Sequence, residues 1–437
     1  VEATKPTSPV MPAAPGMKVS RLELFYDLVF VFAFIHVTTA SVEDLEPFGL
    51  VAIFLLLAVL WLVWSRFALL GNNLRADWGI MPIHGFTIMA IVFISVATLP
   101  GLGDEPPQAQ PGVPQVIPGE FIFPTCYLLI WLLEAAALRV AARTHPELLG
   151  TWWRDTPVLA ASTALLFVAA VLPLLGWPGE GVATLLLVWT LGVGVAYLTT
   201  VRLEPFAVVS AGHWTERHAQ IVLIGFGEAL LSLGLGSGAA IGAPGTVPVI
   251  TATLLGIALI CALWWAYFDT RSYAAEQVLH HTHGLPRDRL ARDGYTLLHL
   301  PMLFGIILLS LGLKQTLAYL AGTASTGEDA PLEPIHLRAL YGGVLLYLVA
   351  LSAFQLRTVR SVAASLAVPV LLLAALLPVV ARIPAFAALL LLTAITVAGV
   401  AADSRRAGAS RHRLREHRLA EQQALEREES GWRRRHG

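Results

Sequence analysis

Residues 50–70 read LVAIFLLLAVLWLVWSRFALL. A single charge, Arg66, interrupts the run. At 1.5 Å per residue, a helix of that length covers about 30 Å, the thickness of a bilayer's hydrocarbon core. The apolar positions are continuous rather than alternating, which excludes a half-buried strand. Lipid offers the backbone no hydrogen-bond partners, so only helices and closed barrels cross it. This run therefore reads as a transmembrane helix. Comparable runs recur along the 437 residues, which are 56% hydrophobic and 14% charged, with mean hydropathy +0.69. A soluble protein carries about 25% charged residues, so the composition excludes a soluble globular enzyme.

The fold class that follows is all-α: a polytopic membrane helix bundle of about twelve transmembrane helices. The spans are expected at 22–41, 50–70, 82–100, 120–142, 157–175, 182–200, 218–238, 248–268, 294–314, 337–356, 362–380 and 383–401. Placing the N-terminus in the cytoplasm puts 26 of the 29 Lys and Arg residues on that side, as the positive-inside rule requires. Lys314, Arg338 and Arg382 remain outside. Both termini are then cytoplasmic, in a bacterial cytoplasmic (inner) membrane. The outer loops 42–49, 101–119 and 321–336 are acidic or rich in Gly and Pro.

Four regions are expected. Residues 1–20 form a disordered, Pro- and Ala-rich N-terminus. Residues 21–205 and 206–402 form two six-helix repeats, and 403–437 an Arg-rich cytoplasmic tail. The repeat rests on Trp61 and Trp64 against Trp264-Trp265, and on Pro173 in LLFVAAVLPLLG against Pro378 in LLLAALLPVVA. An even number of spans per unit makes the repeats parallel, an arrangement that sets transport sites between the halves. The tail's arginines suit anionic lipid headgroups. Cys126 and Cys261 lie in apolar runs and read as reduced core residues.

Ionisable groups at membrane depth are costly and mark function by default. Glu23 and Asp27 share one face of the first span, Glu134 lies in the fourth, Glu228 in the seventh, Asp269 at the end of the eighth and His299 in the ninth. Glu23, Asp27, Glu228, Asp269 and His299 are the candidates for binding a proton or cation. Structural pairing is the alternative for Glu23 and Asp27, and the expected one for Glu134. Arg21, Arg66, Arg202, Glu216, Arg217 and Arg271 are the candidate partners. The aromatic residues Trp61, Trp64, Trp264, Trp265, Tyr267 and Phe268 read mainly as interfacial belts. His213-x-x-Glu216-x-His218 departs from the His-Glu-x-x-His zinc pattern, and His280, His281 and His283 have no Cys nearby. No metal site, cofactor fingerprint or nucleic-acid motif is read.

The segment Arg21-Leu-Glu-Leu-Phe-Tyr-Asp-Leu-Val-Phe-Val-Phe-Ala33 resembles the opening motif of the bacterial low temperature requirement protein A (LtrA) family, with Tyr26 where Phe is usual. His213-Trp-Thr-Glu-Arg-His218 through Ile224-Gly-Phe-Gly-Glu228, Trp264-Trp265-Ala-Tyr-Phe-Asp269 and His299-Leu-Pro-Met-Leu-Phe-Gly305 follow in order. The resemblance implies a multi-pass membrane protein linked by name to growth in the cold. It marks Glu23, Asp27, Glu216, Arg217, Glu228 and Asp269 as motif positions and brings no substrate or reaction. Three functions fit these residues. The first is a proton- or cation-coupled transporter or ion pathway for a small ion or solute, with Glu228 at the midplane. The second is an intramembrane enzyme acting on a lipid or isoprenoid, with Asp27 or Glu228 as general acid or base. The third is a scaffold or sensor.

Overall fold

The computed structural model describes residues 9–40, 47–98, 119–143, 149–172, 182–202, 206–238, 247–323, 330–361 and 364–406, with scattered positions beyond. The expected outer segments 42–46 and 101–118, Pro173, residues 1–8 and most of the tail lie outside these. The described chain is a helix bundle with no strand among the described residues. Its helices are α1 (Arg21–Ala40), α2 (Pro47–Asn73), α3 (Met81–Ala97), α4 (Gly119–Ala141), α5 (Leu149–Val171), α6 (Val182–Arg202), α7 (Ala211–Gly238) and α8 (Val247–Phe268). They continue with α9 (Arg271–His281), α10 (Leu285–Leu290), a π-helical turn (Ala291–Leu297), α11 (Leu298–Thr323), α12 (Pro334–Val359), α13 (Ala364–Val380) and α14 (Ala385–Arg406).

Among the described residues, α2, α4, α7, α8, α11, α12 and α14 are long and apolar enough to cross a membrane. The described parts of α3, α5, α6 and α13 are apolar but shorter. The α1 helix carries Arg21, Glu23 and Asp27 in its first two turns. The π turn ends at Leu297, four residues before Pro301. Proline cannot donate to the carbonyl four residues back and its ring crowds that carbonyl, so the backbone widens upstream of it.

Helix packing follows a recurring order. In the first half α1 packs on α3, α3 on α4, α4 on α5, α5 on α6, and α6 on α2. In the second, α7 packs on α11, α11 on α12, α12 on α13, α13 on α14, and α14 on α8. The two halves meet where α1 lies along α7. Three contacts fix their direction, Glu23 with His213, Asp27 with Arg217, and Thr38 with Glu228, each separated by 190 residues. A constant offset means the two helices run parallel and in register.

The N-terminal segment differs from expectation over residues 9–20. Val10 is buried, Arg75 and Ile80 donate backbone hydrogen bonds to Met11 and Pro9, and Ala13 donates to Asn73. Gly79, at φ 58°, makes this possible, because any side chain there would collide with the Pro9 backbone. The strap then passes to α7, where Ser210 Oγ donates to the Met17 carbonyl at 2.9 Å. Pro and Ala lower unfolded-chain entropy and leave backbone groups for loop partners, so composition alone misread this stretch.

Candidate functional site

Glu23 and Asp27 stand four residues apart on α1, and His213 and Arg217 four apart on α7. That spacing puts each pair on one helix face, and the parallel packing sets the two faces together. His213 Nε2 donates to Glu23 Oε1 at 2.8 Å. Arg217 reaches Glu23 at 3.2 Å and Asp27 Oδ1 at 2.8 Å. Trp64 Nε1 from α2 also donates to Asp27 Oδ1, at 2.9 Å. All four ionisable side chains are at most 2% exposed. The Arg217 guanidinium lies 5.7 Å from the Trp64 ring and 5.8 Å from that of Phe67, a cation–π arrangement. Gly71 leaves room for Glu23, whose carboxylate a Cβ there would strike.

The protonation of His213 follows from its neighbours. Asn72 Oδ1 accepts from the backbone N–H groups of Val209 and Ser210, so its amide nitrogen must face His213. That nitrogen donates to the Ser210 carbonyl at 2.7 Å and to His213 Nδ1 at 3.2 Å. His213 Nδ1 is therefore an acceptor, and the single ring proton sits on Nε2. With His213 neutral, two carboxylates face one guanidinium. An uncompensated buried charge costs several kcal/mol, and one proton removes it. Asp27 Oδ2 is buried and without a hydrogen-bond partner, which makes it the position for that proton. Glu23 also has a local role. Ser20 and Glu23 form a capping box, Ser20 N donating to Oε2 at 2.9 Å and Glu23 N to Ser20 Oγ at 3.2 Å.

Glu228 occupies a second site on the same seam, eleven residues further along both helices, or about 16 Å. Its Oε1 accepts from Thr38 at 2.8 Å and Ser232 at 2.5 Å, while Oε2 is buried and unpartnered. Sequence reading found no basic group at this depth, but Lys314 on α11 acts on Glu228 electrostatically. Close approach brings them together, since a Cβ at Gly236 would meet the Lys314 backbone at 2.7 Å.

A third group surrounds the π turn. His218 is fully buried, 4.4 Å from the Trp214 ring, 4.9 Å from Trp64, and 5.3 Å from both Tyr295 and His299. Its Nδ1 donates to the Trp214 carbonyl at 2.8 Å. His299 Nδ1 donates to the Gly294 carbonyl at 3.1 Å, and its Nε2 accepts from Tyr267 at 2.9 Å. Trp61 Nε1 donates to the Thr296 carbonyl at 2.6 Å. The π turn thus supplies carbonyls to side chains of this buried group, as π turns at functional sites often do. Trp61, Trp64 and Tyr267 are therefore core residues rather than an interfacial belt, whereas Trp264 and Trp265 face outward.

The remaining candidates separate from these sites. Glu134 pairs with Arg66 at 3.0 Å. Arg271 bonds Asp403 and Gln355, each at 2.7 Å, and so ties α9 to α14 and α12. Asp269 is half-buried at the α8–α9 junction, and Arg21, Arg202 and Glu216 are exposed. Arg217, rather than Arg21, Arg66, Arg202 or Arg271, pairs with both α1 acids. Cys126 is buried, but Cys261 is exposed on the outer face of α8 and is not a core residue; both are free thiols. Among the described residues, no three His, Cys, Asp or Glu side chains assemble a metal site.

These residues invite comparison with known proteins. An uncharacterised protein of Rhizobium meliloti (strain 1021), RA0937, is 25% identical over 311 residues, covering 69% of this chain and 70% of that protein. No solved structure matches significantly. The family model for the bacterial low temperature requirement A protein (LtrA) matches residues 18–401, a stretch that contains all three buried groups. This membrane helix bundle thus belongs to the LtrA family.

Proposed function

We propose that this protein is a proton- or cation-coupled transporter or ion pathway, with ions moving along the α1–α7 seam. The observation that carries the reading is the pair of buried acid sites about 16 Å apart on one pair of parallel helices, Glu23–Asp27 with Arg217 at one end and Glu228 at the other. Acids buried at membrane depth are the groups that pumps and transporters use for coupling. The recurring packing order supports two parallel six-helix repeats, 21–205 and 206–402, with the seam as their interface. The arginine distribution supports cytoplasmic termini in the bacterial inner membrane, with the basic tail against anionic headgroups.

Flux of protons and of alkali cations into proteoliposomes tests the reading. Glu228→Gln keeps the Thr38 and Ser232 hydrogen bonds in outline but cannot ionise. It is expected to insert normally and to lose coupled flux. Normal flux in that variant removes Glu228 from the path. A folded wild type that moves no ion would turn attention to acid–base chemistry on a lipid.

A further inference from the structure

We infer that the ion handled at this seam is the proton, and that His218 is a proton-binding station linking Asp27 to the α9 end of the protein. This rests on the transport reading above. The geometry begins at Asp27, whose unpartnered Oδ2 is the place for the cluster's neutralising proton. The Trp64 indole lies between the two groups. Its Nε1 is bonded to Asp27, and its ring meets the His218 ring edge to face at 4.9 Å and 83°. His218 Nδ1 is committed to the Trp214 carbonyl, so Nε2 carries the free lone pair, and this atom is buried without a partner. Tyr295 Oη, on the neighbouring ring, is likewise buried and unpartnered.

The transfer balances simply. A water molecule bridging these two unpartnered atoms carries the proton: the O–H bond at Asp27 Oδ2 breaks as the water takes its proton, the water gives up another to form the N–H bond at His218 Nε2, and a carboxylate is left beside Arg217 with an imidazolium among Trp61, Trp64 and Trp214. Indole faces attract such a cation. Arg217, His213 and His299 face the same ring, and the positive charge of Arg217 repels it. The imidazolium is therefore short-lived, which suits a relay and not a store. Onward passage runs through His299 Nε2 to Tyr267 Oη, whose neighbours on α9 are Ser272 and Glu276. When His299 takes the proton at Nε2, the His299–Tyr267 bond reverses and the phenol proton turns toward Ser272. Imidazole, phenol and indole groups make a poor shell for an alkali cation, which prefers oxygen ligands.

The test uses the full chain in proteoliposomes under a valinomycin-set potential, with an internal pH dye. Wild type is expected to move protons equally well in sodium or choline buffer. His218→Gln is expected to lose about 100-fold of that flux or more, and its flux–pH curve to flatten. Tyr267→Phe, which removes one oxygen and keeps the ring, is expected to show a similar loss. Thermal unfolding checks that each variant is folded. A His218→Gln curve of wild-type shape and size overturns the station, and undiminished flux in Tyr267→Phe overturns the exit. Flux that needs sodium or potassium and ignores pH overturns the proton while leaving transport intact. A folded wild type that moves no ion removes the transport reading itself.

Discussion

Arg217 holds two carboxylates while fully buried, and its removal exposes the electrostatics of the whole cluster. Arg217→Met is expected to destabilise by about 3–5 kcal/mol, because it strands two buried acids. Asp27→Asn is expected to be tolerated or mildly stabilising, since the amide oxygen still accepts from Trp64 and Arg217 and the excess charge is gone. Thermal unfolding in detergent reads both, and a larger loss in Asp27→Asn than in Arg217→Met would contradict the charge count. Part of this was legible in the sequence. Glu23 and Asp27 announce a shared helix face by spacing alone. Their partners did not, because the distance of 190 residues hides the pairing. The available signal was that His213 and Arg217 repeat the same four-residue spacing with a hydrogen-bond donor and a cation to match the acids. In the sequence His218 stands out only against the zinc pattern, which it does not fit.

The α11 and α12 helices cross at glycines, and this contact replaces the hydrophobic drive that lipid cannot supply between apolar helices. A Cβ at Gly343 would stand 2.7 Å from the Gly305 carbonyl, and one at Gly312 would meet the Leu340 backbone. Gly342 next door has open space. Gly343→Ala is expected to cost about 1–3 kcal/mol through overpacking. Gly342→Ala is expected to be neutral or slightly stabilising in the same thermal assay; equal effects would argue against close packing. Hydropathy placed most helices within a few residues of where they lie, since continuous apolar runs signal spans directly. It gave no sign of α9, of the π turn, or of the ordered strap at 9–20, which depend on Pro301, Gly79 and backbone partners far along the chain.

At the scale of the whole molecule, the proposed topology makes α2 to α6 five crossings, an odd number, as parallel α1 and α7 would require if both span the bilayer. The proposed orientation then sets Glu333 outside and Arg289 inside. In a background with both native cysteines replaced by serine, Glu333→Cys is expected to react with an impermeant maleimide on intact spheroplasts. Arg289→Cys is expected to react only after permeabilisation; the opposite labelling would invert the topology. The same seam has a consequence for how the chain is made. The acids of α1 emerge from the ribosome long before the arginine that neutralises them. At about 5–20 residues per second, 190 residues correspond to a delay on the order of ten to forty seconds. Through that interval the nascent first helix holds Glu23 and Asp27 without their guanidinium, so it must wait at the translocon or the interface, or enter the lipid protonated. By either route the α1–α7 pairing, and with it the joining of the two halves, is completed only once α7 has been made.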